Sequence, residues 1–471
     1  LYRLFKTILS MNRLLLFLSF LSFSFSFAQE FVLIKFKDKP SSSHYFPNPT
    51  DMLSQKSLDR RAKYAIPLTE NDVPVESDYI NGIKNIGITP VVISKWFNGI
   101  FAEINDSQVP QIVALNYVLG IESMKKRPNA RSSSSTAKIS SLPQSYQSSA
   151  AEYQLEQIGL NQLHNSGYTG KGTTIAVIDA GFPGVDTIPE FAYLRNNNQI
   201  KGGYNYTNNS SAFYTGNSHG TYVLSALGAY DPGKYTGAAF DADYYLFITE
   251  KDGMEIPQEE TWWIAAAEKS DSLGVDIINS SLGYTEFTDP RYSYTHNDLD
   301  GKTAFISKGA QIATEKGIMV VVAAGNDGAL PWKRIGVPAD AKDVLAVGSV
   351  NQYGVSSAFS SFGPSSDGRI KPDVCALGEN TYLVGSSGIF QGSGTSFASP
   401  IIAGAVACLL QAIPNSLPSL LNQKIKESAS LYSSPDTKMG YGIPNFHTVL
   451  SLLSTEDIIS SPESNLSVYP N

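Results

Sequence analysis

From residue 151 onward the chain alternates short apolar runs with longer stretches of helical periodicity. The apolar runs predict strands at Thr174–Asp179, Tyr244–Ile248, Asp276–Asn279, Ile318–Ala323 and Val344–Val350. The longer stretches predict helices over 219–229, 258–273, 302–316, 396–412 and 418–429. Alternation of this kind indicates an α/β domain, a mainly parallel sheet with helices on both faces. In such sheets ligands and reacting groups gather at the carboxyl ends of the strands. Upstream, Phe31–Lys37 reads as a strand and Pro90–Ile104 holds another apolar stretch, with helix-permissive segments around them. Residues 131–150 contain nine Ser with Pro143 and Gln144, a linker composition. After about Leu453 the sequence turns polar and Ser-rich, which predicts a second linker over 453–464.

The N-terminus adds an address. After Met11 come Asn12-Arg13, an apolar run from Leu14 to Phe27 broken only by Ser, and small residues at Ser26 and Ala28. A short basic start, an apolar stretch of 14 residues and a small-residue exit are the parts of a cleaved signal peptide, placed at 11–28. The run falls short of the ~20 residues needed to cross a bilayer. Residues 1–10, ahead of the first Met, are set aside.

Composition narrows the classes. A length of 471 residues predicts two or three domains. The net charge of −8 argues against a phosphate-binding surface, so no nucleic-acid partner is expected. Two Cys, Cys375 and Cys408, exclude a disulfide-stapled scaffold and a Cys-rich zinc module. Both are expected to be free buried thiols acting as small hydrophobes.

Three segments carry chemistry. Gly172–Gly181 is a strand that ends in the carboxylate Asp179. Ser218-His219-Gly220-Thr221 begins a helical pattern at the imidazole. Gly392–Pro400 holds Ser396 ahead of the apolar helix Ile401–Leu410. A Ser hydroxyl is a poor nucleophile at neutral pH and needs an imidazole to take its proton. The imidazole needs a carboxylate to fix its tautomer and stabilise its charge. Pro400 is tolerated because first-turn N–H groups have no helical partner. At that helix start, Ser396 also brings free N–H groups to where an oxyanion would form. Singly each fragment reads as a cap, a chance tripeptide or a flexible loop. Jointly, and in the order Asp, His, Ser, they do not.

These three blocks resemble the signature segments of the subtilisin-like serine proteases, the family for which that order is an established example. A fourth, Val320–Gly328, is similar to the family segment whose Asn donates to the oxyanion, which assigns the hole to the Asn326 side chain and the Ser396 backbone N–H. By the same resemblance Ser281, Leu282 and Gly283 pair with substrate and wall its main pocket, opposite Ala323, Ala324 and Gly325. A bound peptide there adds as an extended strand. The resemblance spans about 151–452 and implies a catalytic domain of subtilisin-like fold, with no cofactor required for chemistry. It departs at three points: Ala180 where a hydroxyl residue is usual, Tyr222 where His is common, and Phe397 where many relatives carry the oxidisable Met.

The flanks resemble other parts of such precursors. Trp96–Ile104, Ser107–Leu115 and Val118–Glu122 are similar to the inhibitory propeptide, a small α/β module placed at 29–127 and joined by the linker 128–150. Maturation is expected to cut within 123–150. Ser467–Asn471 resembles the opening of a type IX secretion C-terminal sorting domain, placed at 465–471, which implies bacterial outer-membrane export machinery as a partner. The expected product is a secreted or cell-surface serine endopeptidase acting on protein or peptide substrates, with its own propeptide as intramolecular inhibitor. A peptide ligase or transpeptidase on the same scaffold, and a non-catalytic surface-binding module, are the alternative readings. Asn297, Asp298 and Asp300 offer oxygens that suit Ca²⁺, and relatives often bind it. A solvated loop is the preferred reading, and no metal ligand is assigned.

Overall fold

The computed structural model describes residues 29–126 and 152–460, with side chains to 454. The segments expected to be signal peptide (11–28), linker (128–150) and sorting domain (465–471) lie outside the described residues. Two units form around separate sheets.

Numbering the longer elements in chain order, the first unit holds β1 (Glu30–Phe36), α1 (Gln55–Lys63), α2 (Ser77–Asn85), β2 (Val92–Ser94), β3 (Gly99–Ile104) and β4 (Val118–Ser123). Its sheet runs β2-β3-β1-β4, with β1 antiparallel to both neighbours. Side chains alternate across a strand, and β1 uses both faces. Val32, Ile34 and Phe36 pack with Ile83, Ile88 and Ile112 in the unit's own core. Phe31 and Leu33 point the other way and join the core of the second unit. That second apolar face is why this small sheet needs a partner.

The second unit contains β5 (Thr174–Asp179), β6 (Ile200–Asn205), α3 (His219–Gly228), β7 (Asp243–Ile248), α4 (Gln258–Leu273), β8 (Ile277–Ser280), α5 (Phe305–Glu315), β9 (Met319–Ala323), β10 (Leu345–Val350) and β11 (Val374–Leu377). It ends with a hairpin, β12 (Thr381–Gly385) and β13 (Gly388–Gly392), and three helices, α6 (Thr395–Ala412), α7 (Pro418–Glu427) and α8 (Phe446–Ser460). Seven strands in the order β11-β10-β9-β8-β5-β7-β6 form one parallel sheet. Ile175 and Val177 of β5 enter the core shared with α3 and α6, and Ala176 and Ile178 enter the one shared with α4 and α5. Burial on both faces is what uninterrupted apolar strands require. Every residue of α6 from Thr395 to Leu410 is buried, so this apolar helix is the spine of the first core.

The five expected strands lie within one residue of those observed. Four of this unit's numbered strands were not expected: β11 is a short buried edge strand, Val-Cys-Ala-Leu. β6 is an edge strand with Lys201, Gly202 and Gly203, partly exposed and without an apolar run; β12 and β13 form a short hairpin. α8 continues to Ser460, so the expected domain end at 452 and residues 453–460 of the expected linker fall inside a helix. The Ser residues that suggested a linker do not break it: Ser451 and Ser454 return their hydroxyls to the carbonyls of His447 and Leu450.

The first unit sits on α4 and α5. Phe97 and Phe101 meet Phe305 edge-on at 5.6 and 5.4 Å. Glu268 of α4 accepts from the Lys95 and Trp96 amides at 3.0 and 3.1 Å, and from the Ser94 hydroxyl. Further along, Asp271 receives Arg60 at 2.6 Å and Arg61 at 2.8 Å, and Arg61 also holds Asp72 at 2.7 Å. Lys316, just past α5, closes the cluster on Asp72 at 2.9 Å. Burial would raise the Asp72 pKa, but Arg61 and Lys316 outweigh it and hold the carboxyl below its ordinary value. A cavity of about 900 Å³ remains between Val92 and Ile93 on one side and Tyr204, Tyr245 and Trp262 on the other.

Candidate active site

β5 delivers Asp179, fully buried, to the carboxyl edge of the sheet. Its Oδ1 accepts the Ala180 amide at 2.7 Å and lies 2.7 Å from His219 Nδ1. A carboxylate can only accept here, so Nδ1 carries the proton and Nε2 is left as the free base. Asp179 Oδ2 is buried without a hydrogen bond. Residue 180 being Ala fits that orphaned oxygen, since a hydroxyl there would be a candidate donor.

His219 opens α3, with its amide held by Asn217 Oδ1 at 3.0 Å. Gly220 explains how this helix reaches so close. A Cβ there would meet Gly181 O at 2.4 Å and Asp179 Cβ at 2.9 Å. Burial of the imidazole works against its charged form, but the charge and hydrogen bond of Asp179 outweigh that, and the His219 pKa is raised.

Ser396 stands in the first turn of α6, and its position follows from a proline. Pro400 has no N–H to give to the carbonyl four residues back. That carbonyl, Ser396 O, instead accepts from Ser281 Oγ at 2.8 Å, while Ser396 Oγ donates to Ser281 O at 3.1 Å. The reciprocal pair ties Ser396 to the residue just after β8. Among the described residues no hydrogen bond joins Ser396 Oγ to His219. Sites without substrate often hold this contact open. Phe397, the next residue, places its ring 5.8 Å from the imidazole.

Asn326 follows β9. Its Oδ1 accepts from Thr395 N at 2.9 Å and Thr395 Oγ1 at 3.0 Å. With the oxygen fixed on two donors, Nδ2 is the face left over, beside the start of α6. Leu282 and Gly283 continue from Ser281, and Ala323 and Ala324 end the neighbouring strand, so the expected pocket walls sit on the adjacent pair β8 and β9. The Gly325 amide donates to Thr395 Oγ1 at 3.2 Å.

Three contacts near the site were not read from the sequence, one of them a second use of Ser281, already expected to pair with substrate. Thr395 orients Asn326, and its signal was present in the Gly-Thr-Ser run. The Ser281 hydroxyl supports Ser396 from 115 residues away. Glu250, just past β7, accepts from Tyr284 at 2.6 Å and Thr249 at 2.9 Å, and its carboxylate approaches those of Glu255 and Glu259 within 4.8 Å. Burial, the largest influence, raises the pKa of all three. In the loop after β8, Asp298 accepts from Thr295 and Asp300 from Lys302 and Thr303, so both carboxylates are spent on turns. Cys375 and Cys408 are free and buried, and burial pushes both thiols far above their ordinary pKa.

A model of the subtilase family matches residues 170–442. A model of the peptidase S8 propeptide domain of Bacteroidota matches residues 31–140. Relatives include the subtilisin-like protease SBT6.1 of Arabidopsis thaliana, 29% identical over 66% of this chain and 28% of its own. The serine protease AprX of Bacillus subtilis is 30% identical over 58% of this chain and 64% of its own. Subtilisin of Bacillus pumilus is 29% identical over 62% of this chain and 96% of its own. This chain therefore spans less than two thirds of the first two. Among solved structures, fervidolysin from Fervidobacterium pennivorans, a keratinolytic enzyme related to subtilisin, covers 91% of this chain and 62% of its own at 19% identity, with a TM-score of 0.60. That likeness establishes the fold.

Proposed function

We propose that this chain, which belongs to the subtilase family, is the zymogen of a serine endopeptidase with Asp179, His219 and Ser396 as its triad. The observation that carries the reading is the buried Asp179–His219 bond of 2.7 Å, with Ser396 held at the start of α6. A peptide strand lies along Ser281–Gly283, with Ala323, Ala324 and Gly325 on the other side of its pocket. As it binds, its main chain competes for Ser281 O and frees the Ser396 hydroxyl to turn to His219 Nε2. His219 takes the proton as Oγ attacks the scissile carbonyl. The oxyanion forms against Asn326 Nδ2 and the Ser396 amide, donors already in place before charge develops. His219, its positive charge stabilised by Asp179, protonates the leaving amine. Water then hydrolyses the acyl-enzyme with the same base. The chain needs no cofactor for these steps.

The N-terminal unit acts as the intramolecular inhibitor and is separated by a cut in the linker. The apolar segment 11–28 directs export, and Ser467–Asn471 points to type IX secretion as the route to the surface or medium.

Labelling with a fluorophosphonate probe after maturation tests the reading. Wild type is expected to label and Ser396→Ala to stay blank; equal labelling of both, or of neither, overturns it.

A further inference from the structure

Glu260 is buried at the start of α4, and the mechanism above does not use it. One carboxylate oxygen accepts from the Tyr294 hydroxyl, and the other, Oε2, is buried with no hydrogen-bond partner. The Ile306 amide, at the beginning of α5, adds a backbone hydrogen bond to the carboxylate. Burial raises its pKa to about 7, against the pull of Tyr294 and Lys126. An ionisable oxygen this deep is costly to leave unmatched.

What faces it is a cation. Lys126, the last described residue before the linker, enters the same pocket. Its amine lies 5.9 Å from the Tyr294 ring and 5.4 Å from the Phe305 ring, within range for attraction to both faces. It donates to Thr303 O at 3.4 Å, and its backbone amide donates to Arg291 O at 2.8 Å. Lys126 and Glu260 each shift the other's titration through charge. No ion pair closes between them among the described residues, so carboxylate and amine share the pocket without touching. The neighbouring Lys308 is occupied elsewhere, with Glu122 at 3.4 Å and the outer side of Phe305 at 4.6 Å.

A chain of packed rings links this group to the residues after β8. From Ser281, at the nucleophile, the chain reaches Tyr284, whose ring stacks on Phe287 at 5.7 Å; Phe287 meets Tyr294 at 6.1 Å. Lys126 lies near the amino-terminal end of the segment 123–150 in which maturation is expected to cut. A cut after it makes Lys126 a residue upstream of the scissile bond. With a cut after Lys126, departure of the propeptide takes this cation away and leaves Glu260 with the Tyr294 hydroxyl and the Ile306 amide.

We propose that the pocket formed by Glu260, Tyr294, Phe305 and the Thr303 carbonyl selects a Lys or Arg side chain of the substrate, on the amino-terminal side of the cleaved bond, and that Lys126 occupies it in the zymogen. This rests on the endopeptidase reading. It makes the propeptide a mimic of the preferred substrate at a charged position as well as a plug.

The test uses mature enzyme and quenched fluorogenic peptides carrying Lys, Arg, norleucine or Glu at successive positions before one bond, with the cut located by mass spectrometry. At one position, Lys and Arg are expected to raise kcat/KM about 10–100-fold over norleucine, the scale of a hydrogen bond to a charged group. In Glu260→Gln, which keeps the shape and the Tyr294 contact, that preference is expected to fall at least about tenfold, with turnover of the norleucine peptide changed less than about threefold. Equal cleavage of Lys and norleucine peptides by wild type overturns the inference without needing a variant. So does an equal loss on both in Glu260→Gln. If no peptide is cut and no Ser396-dependent fluorophosphonate label appears, the endopeptidase reading itself falls, and this one with it.

Discussion

Asp271 and Asp179 are both fully buried carboxylates of the same domain, and they are treated in opposite ways. Asp271 is saturated: Arg60 and Arg61 approach at 2.6 and 2.8 Å, with Lys95 at 3.6 Å. Arg60 reaches past it to cap the carbonyls of Val275 and Lys316, at the ends of α4 and α5. Asp179 has one oxygen in use and one with no partner. The first carboxylate has a permanent counter-charge because its task is to hold two units together. The second faces the His219 imidazole, whose charged form it favours, and under the proposed mechanism a standing cation would compete with that charge.

The comparison breaks first, and with the largest effect, at Asp179. Asp179→Asn preserves shape but favours the wrong imidazole tautomer, and the loss known for this change in a serine protease triad is about 10⁴ in kcat. The variant, freed of its propeptide by added wild type, should show that loss in peptide turnover while its thermal unfolding stays near wild type. A drop of less than tenfold would mean that Asp179 is structural.

At the adhesive end, Arg61→Ala leaves Asp271 and Asp72 buried with less counter-charge. Breaking one partner of a buried pair costs about 3–5 kcal/mol, readable in urea unfolding of the full chain carrying Ser396→Ala. The same change should leave kcat of the mature enzyme unaltered. A cost below about 1 kcal/mol would place this cluster with exposed surface pairs.

The smallest effect is a displacement along the pH axis. Burial alone would lower the His219 pKa, but Asp179 raises it above 6.5. Only the neutral imidazole can take the Ser396 proton, so the acidic limb of kcat/KM should lie above pH 6.5 and activity should fall as pH drops through it. For stability the sign is opposite. The charged His219 contributes fully below its unfolded pKa, and that contribution is lost as pH rises through the higher folded value. An acidic limb at or below the ordinary His value would show that Asp179 does not hold the charge.

Much of this was legible before folding. β5 and β9 carry uninterrupted apolar runs, Ile175–Ile178 and Met319–Ala323, because both their faces are covered, and Asp179, His219, Asn326 and Ser396 each sit at an element end with small residues beside them. What stayed hidden depends on distance in sequence. Glu268 and Asp271 look like the polar face of an ordinary helix until a second sheet lands on it. Glu260 and Lys126 are separated by more than a hundred residues and meet only through that docking. β6 was invisible because an edge strand needs no apolar run, and the end of α8 because Ser can return its hydroxyl to the helix that carries it.

The cavity beside the interface gives the molecule a natural light source. Trp262 lines it, Trp96 lies buried in the same core, and neither has more than a sliver of surface in water while the propeptide is in place. Departure of the propeptide hydrates the face of α4 that carries Trp262 and removes Trp96 altogether. The change in indole emission then follows release as it happens, separate from the cut bond and without any attached dye.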